Sequence, residues 1–278
     1  MEQVSRMSKD ILAATTSLTI DEVRHLVDAY YIMQTDRKRY ESQRSAMMQE
    51  PHSVISFLAD SSRVLEGQVK LALDRYTDHH PVGGWMKGIH GIGPIIAAGM
   101  LAHIDIHKAQ TAGDIWRYAG LDPTCKWEKG QKRPWNARLK TLCWNTGQVF
   151  MRNSGREDSF YGHRYRDRKT YEIARNDLGG NEAKAAELLH KFNKSTDAYK
   201  HLKAGRLPPA QIDARARRWT VKLFLSHLQT VWWWIEFGTL PAKPYILTKE
   251  GHGHLVLPPN IDEELHDKLL AWKEAELT

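Results

Sequence analysis

The residues best suited to chemistry lie between Lys126 and Lys169, where twelve Lys or Arg stand against four Asp or Glu. This local excess of +8 is larger than the +7 of the whole 278-residue chain, so the remainder is close to neutral. Rings are interleaved with the charge: Trp127, Trp135, Trp144, Phe160, Tyr161 and Tyr165. Cationic side chains neutralise phosphates, and aromatic faces stack on unpaired bases at about 1–3 kcal/mol each. That mixture suits RNA or another single strand better than a smooth duplex backbone. Candidate nucleic-acid contacts are Lys126, Lys129, Lys132, Arg133, Arg138 and Lys140, with Asn136 and Asn145 as polar additions. His163, Arg164 and Arg168 form a second cluster, and Trp127 and Trp135 are candidate stacking platforms. The competing view is a solvated charged face with its tryptophans buried beneath it. Further along, Arg215, Arg218 and Lys222 fall on one helix face by their spacing of three and four.

Other constellations point elsewhere. Gly88-Ile89-His90-Gly91-Ile92-Gly93-Pro94 has the form of a helix-hairpin-helix turn. Gly91 and Gly93 would let the backbone turn tightly, so that the next helix offers free N–H groups to a phosphate. The same glycines also serve hairpins that only pack. His79-His80 and the pair His252 and His254 invite a metal, but neither has partner ligands at a recognisable spacing, and no metal or cofactor is expected. Neither Cys125 nor Cys143 has a histidine beside it in sequence, so a catalytic thiol is not expected. No catalytic residues are assigned, and enzymatic activity is not expected.

These side chains need helices to carry them. Thr19-Ile20-Asp21-Glu22 reads as a capping box opening a long helix to about Glu50, with Val23, Leu26, Tyr30 and Met33 on one stripe. After Pro51 a second helix is expected over 53–76, striped by Val54, Leu58, Leu65, Val69 and Tyr76. The two should form an antiparallel, coiled-coil-like hairpin that either packs on its own domain or serves as a dimer interface. A turn is expected at Gly83-Gly84, then a small-residue helix through His103 and a short helix ending at Gly120. The basic loop from Lys126 to Pro134 leads into a helix over 135–151, followed by helices over 158–176, 181–192 and 195–203. Pro209 starts a long helix that stops at Gly238. Pro241, Pro244, Pro258 and Pro259 mark an irregular tail, with a last helix over 261–277. The expected fold is all-α: a helical hairpin over 1–80, a binding domain over 81–240 and a tail over 241–278.

The longest apolar cluster, Val231–Phe237, is too short to span a bilayer, so no membrane partner is expected. Two cysteines without metal spacing, and no signal-peptide pattern, suit a reducing cytoplasm.

The segment Gly88–Met151 resembles the C-terminal domain of transposases guided by bridge RNA. The likeness lies in Gly91-Ile92-Gly93-Pro94, in Ile115-Trp116-Arg117-Tyr118-Ala119-Gly120-Leu121-Asp122-Pro123, and in the basic helix start Arg133–Leu142. Such transposases pair an RNase H-like domain, bearing an acidic tetrad, with a serine nucleophile shortly after the Gly-Leu-x-Pro segment. The matching loop here is Thr124-Cys125-Lys126-Trp127-Glu128-Lys129-Gly130, without a serine. The roughly eighteen residues before the first long helix leave no place there for an RNase H-like domain. The helical region is also similar to the Nop domain of box C/D ribonucleoprotein core proteins. A fuller likeness, over about Leu18–Asn260, is to the Tas proteins of TIGR-Tas systems in their nuclease-free form. It adds Gly205-Arg206-Leu207-Pro208-Pro209, Ala214-Arg215-Ala216-Arg217-Arg218, Lys222–His227, Pro244-Tyr245 and Gly251-His252-Gly253-His254. This resemblance implies a homodimer that binds a guide RNA, through which target DNA is recognised without cleavage. Two alternatives stand beside it: a guide-free helix-hairpin-helix DNA-binding protein or regulator, and a transposase-derived protein acting with a separate catalytic subunit.

Overall fold

A computed structural model describes residues 6–47, 53–242 and 255–274. About 70% of the chain is helical, no strand occurs among the described residues, and the fold is all-α. Pro51, Pro244, Tyr245 and the stretch 251–254 lie outside the described residues. The chain divides into two compact units, Met1–Gly88 with Ile92–Ala109, and Ile89–Gly91 with Gln110–Thr278.

The first unit contains α1 (Lys9–Ala14), α2 (Ile20–Ala46), α3 (Ser53–Asp78), α4 (Pro81–Lys87) and α5 (Pro94–His103). Thr19 and Glu22 form the reciprocal capping box that opens α2. Between α2 and α3 the ion pairs run Arg37–Glu66, Arg63–Glu41 and Arg44–Asp60, rising along one helix as they fall along the other. That is the order of antiparallel neighbours. Glu66 is buried on the inner face of α3, where it accepts from Arg37 and from Gln34. A slip in register would strand this carboxylate, so the pair helps to fix the pairing of the helices.

The inner line of α3 is Ala59, Glu66, Val69, Ala72, Leu73 and Tyr76. The expected stripe is therefore displaced: Val69 and Tyr76 are buried, but Val54 is 54% exposed and Leu65 40%. Hydrophobicity alone misplaces the face because a satisfied Glu66 occupies a core position. A second difference concerns Gly83-Gly84, which lie within α4 rather than in a turn. Pro81 starts that helix, and a Cβ on Gly83 would sit 2.2 Å from the Thr77 carbonyl oxygen. The glycine thus serves close backbone approach. Lys87 reaches Asp74 at 2.6 Å and Asp78 at 2.5 Å, fastening α4 to α3. Every residue of α5 after Pro94 is buried, and Arg24 Nε donates to the Ala102 carbonyl at 2.8 Å.

The second unit contains α6 (Ala112–Tyr118), α7 (Ala137–Arg152), α8 (Phe160–Asp177), α9 (Glu182–Leu189), α10 (Asp197–Lys203), α11 (Pro209–Phe237) and α12 (Glu263–Glu274). Its axis is α11, which starts on Pro209 and stops at Gly238 with φ +65°, as the proline and glycine at its ends indicate. Helices α6, α7 and α8 pack on it. Phe150 stacks on Tyr161 at 4.8 Å and meets Phe224 edge-on at 5.6 Å, joining the three longest helices of this unit. Asn176 is buried and pairs with both backbone groups of Leu207, which anchors the small core of Ala185, Leu202, Leu207 and Ile212.

His227, on α11, is wholly buried between two partners. Its Nε2 must donate to the Val256 carbonyl at 2.7 Å, which leaves Nδ1 to accept from the Tyr161 hydroxyl at 2.8 Å. Burial pushes its pKa down to about 4, so the ring is neutral at ordinary pH. Among the described residues no helix is long and apolar enough to cross a membrane.

Candidate nucleic-acid interface

Local signals place the start of α7. The side chain of Asn136 caps the helix by accepting from the Arg138 and Leu139 N–H groups. Its backbone N–H donates to the Tyr118 carbonyl at 2.8 Å, and its amide donates to the Tyr118 hydroxyl at 3.0 Å. Helix α6 thus holds the helix that follows the basic loop. Gly120 matters for more than its positive φ: a Cβ there would lie 2.8 Å from the Trp135 ring and 3.0 Å from Lys140 Cδ. The missing side chain lets both residues lie against the turn.

From this base a ladder of cations and rings extends along the loop. Lys140 Nζ stands 4.0 Å above Trp135, Trp135 meets Trp127 edge-on at 6.5 Å, and Arg133 stands 5.3 Å from Trp127. The Trp127 indole N–H donates to the Gln131 carbonyl, which closes the loop on itself. Lys126, Lys129, Lys132, Arg133 and Arg138 are exposed around it, while Asn145 is half-buried on α7.

Lys140 and Arg218 come together where α7 faces α11, and Lys222 lies one turn beyond Arg218. Lys140 is held below the usual lysine range by desolvation first, then by Arg133 and Arg218. Lys222 is lowered by desolvation and Arg218, against the opposing pull of Asp122. Desolvation lowers Arg218 too, with Arg215 and Arg217 adding to it against the pull of Glu172, although solvent still reaches its side chain. No carboxylate lies within ion-pairing distance of Lys140, Arg218 or Lys222 among the described residues. Like charges drawn together without a directly paired carboxylate favour an anionic ligand. Lys222 also stands 4.7 Å from Trp116, whose indole N–H donates to the Lys222 carbonyl, so α6 fixes this part of α11.

Other arginines of similar appearance are already engaged. Arg168 and Arg215 both pair with Glu172, whose side chain is 1% exposed. Lys169 and Arg217 pair with Asp213, which also accepts from the Tyr165 hydroxyl. Arg164 lies 3.5 Å from Asp167 and over Phe160, and the His163 ring donates to the Arg156 carbonyl. The structure therefore brings Arg133, Lys140 and Arg218 together and sets His163, Arg164, Arg168 and Arg215 in local pairs.

Of the rings in the basic stretch, Tyr161 and Tyr165 are core residues with no free face. Trp127 is 37% exposed, Trp135 is half-covered, and Trp144 is the most open at 61%. Sequence reasoning did not single out Trp144 as a platform. The available signal was its place four residues after Lys140, one helical turn along the same face.

Gly91 has φ +92°, and a Cβ there would lie 2.5 Å from Val149 Cγ1 and 2.9 Å from Asn153 Nδ2. Close packing on α7 accounts for this glycine. His90 beside it bridges Asn153 and Asp158, at 3.2 and 3.0 Å. Gly93 precedes α5 with open space around it and provides no side-chain cap. Cys143 is fully buried and its thiol is pushed up to about 12, which makes it a poor nucleophile. Among the described residues no three His, Cys, Asp or Glu side chains are grouped so as to hold a metal; His252 and His254 lie outside them.

Residues 85–161 match the Transposase IS116/IS110/IS902 family, less than a third of the chain. The matched stretch contains α5, α6, the basic loop and α7, and it supports the relation to transposases read from Gly88–Met151. No curated protein and no solved structure matches the chain.

Proposed function

We propose that this chain holds a guide RNA, as a homodimer, and directs RNA-guided recognition of target DNA without cutting it. The observation that carries the proposal is the meeting of Lys140 and Arg218 without carboxylate partners, beside a basic loop and exposed indoles. Cations desolvated against one another gain most from an anion, and open rings next to them favour unpaired bases over a smooth duplex. The transposase-like stretch and the wider resemblance to nuclease-free Tas proteins support a guide rather than a random RNA. The loop Thr124–Gly130, which has no serine where related transposases have their nucleophile, supports binding without cleavage. Dimerisation is supported by the exposed line Val54, Phe57 and Leu65 on one face of α3.

Ribonuclease treatment tests this reading. DNA binding by the chain as purified should disappear once bound RNA is digested and should return when the extracted RNA is restored. Duplex binding that survives digestion unchanged would instead identify a guide-free DNA-binding protein. Metal-dependent strand cleavage by the chain would contradict the non-cutting part.

A further inference from the structure

A cavity of about 220 Å³ opens between α7 and α11, within the second unit. Leu121, Cys143 and Val221 give it apolar lining, while Trp144, Lys140, Arg218 and Arg217, the last already paired with Asp213, complete it. It is smaller than the roughly 300–1,000 Å³ of most small-molecule sites, a size that suits one planar ring system. The apolar lining is firm, because a Cβ on Gly147 would come within 3.2 Å of Val221, so the two helices already touch there.

We propose that this cavity receives a single unpaired nucleotide of the bound RNA, its base against Trp144 and its phosphate between Lys140 and Arg218. The proposal rests on the RNA-binding reading above and names the form of RNA that the site selects. Three features converge on it. Trp144 lines the cavity yet is 61% exposed, so one indole face is open to a ring entering from solvent. The apolar lining offers a base edge nothing to hydrogen-bond, so the pocket accepts any base and reads strandedness rather than sequence. Lys140 and Arg218 both line the cavity, neither has a carboxylate within ion-pairing distance among the described residues, and the nearby Arg218 lowers the proton affinity of Lys140, which a phosphate between them would offset. A duplex cannot enter without unstacking a base, so it is disfavoured relative to a single strand.

The test compares fluorescein-labelled single-stranded RNA with the same RNA annealed to its complement, by fluorescence anisotropy on the full chain. Trp144→Ala should weaken single-strand binding about tenfold or more, with a clearly smaller effect on the duplex, and Trp144→Phe should restore most of the loss. Ala214→Leu, which fills the cavity without changing charge, should show the same selectivity. Circular dichroism and thermal melting establish that each variant is folded. If folded Trp144→Ala and Ala214→Leu both bind single strands like the parent chain, the pocket is refuted while RNA binding stands. Equal losses on both probes also refute it. If the parent chain binds neither probe, the RNA-binding reading falls and the pocket falls with it.

Discussion

Helix α11 presents cations to two neighbours, and the two faces behave differently. Toward α8, Arg215 meets the buried Glu172, while Arg217 pairs with Asp213 one turn back on α11 itself. Arg218 shares a cavity with Lys140 of α7, and Lys222 stands against Trp116 of α6, with no carboxylate within ion-pairing distance of any of the three among the described residues. All of these α11 residues come from one short run of the helix and are of the same chemical kind. What separates a structural arginine from a ligand-ready one is the buried acid across from it. The α8 face is closed by a buried ion pair, and the proposed guide RNA would supply the counter-charge that Lys140 and Arg218 lack on the α7 face.

Breaking the α8 face should have the largest effect. Glu172→Ala leaves Arg168 and Arg215 crowded without a counter-charge, and should cost about 3–5 kcal/mol in urea unfolding. The same face contains His227, whose pKa falls to about 4 from an ordinary value near 6.5. As pH drops, the unfolded chain takes up that proton before the folded one does. The stabilisation is therefore complete above about pH 6.5 and drains away toward about pH 4, by roughly 3 kcal/mol in all. His227→Gln should lower stability at neutral pH and remove that slope; an unchanged slope would move its origin to other groups.

Sharpening the α7 face calls for binding measurements. Lys140→Ala with Arg218→Ala should weaken RNA binding about tenfold or more and flatten the log–log salt dependence by about 0.7 for each phosphate left without its cation. Arg168→Ala, measured at a temperature where it stays folded, should change that slope far less. The smallest effect is expected from the loop, where Lys126, Lys129 and Lys132 are exposed to solvent. Replacing any one of them by Ala should cost only about two- to threefold in affinity, in line with a single screened charge. A loop lysine that outweighed the Lys140 and Arg218 pair would reverse the ranking of the two surfaces.

Much of the scaffold was legible because its signals are local. The Thr19 capping box, the Pro209 start and Gly238 stop of α11, and the left-handed Gly120 each act within a turn or so of chain. The inner face of α3 was not, since a buried Glu66 reads as a surface residue until Arg37, from the other helix, is placed beside it. The same limit applied to the site. Arg215 and Arg218 look equivalent by spacing, and only Glu172, 43 positions from Arg215, tells them apart. Gly83-Gly84 looked like a turn because glycine serves close packing and chain reversal equally well. Trp144 was one ring among several, and its exposure depends on where α11 lies.

The most direct test is to recover and sequence the nucleic acid that stays with the chain through a high-salt wash. A discrete short RNA, present with the parent chain and depleted in the Lys140→Ala, Arg218→Ala variant, is the result expected of a guide held on the α7 face. A chain that emerges free of RNA, and binds duplex DNA equally well in that state, would contradict it.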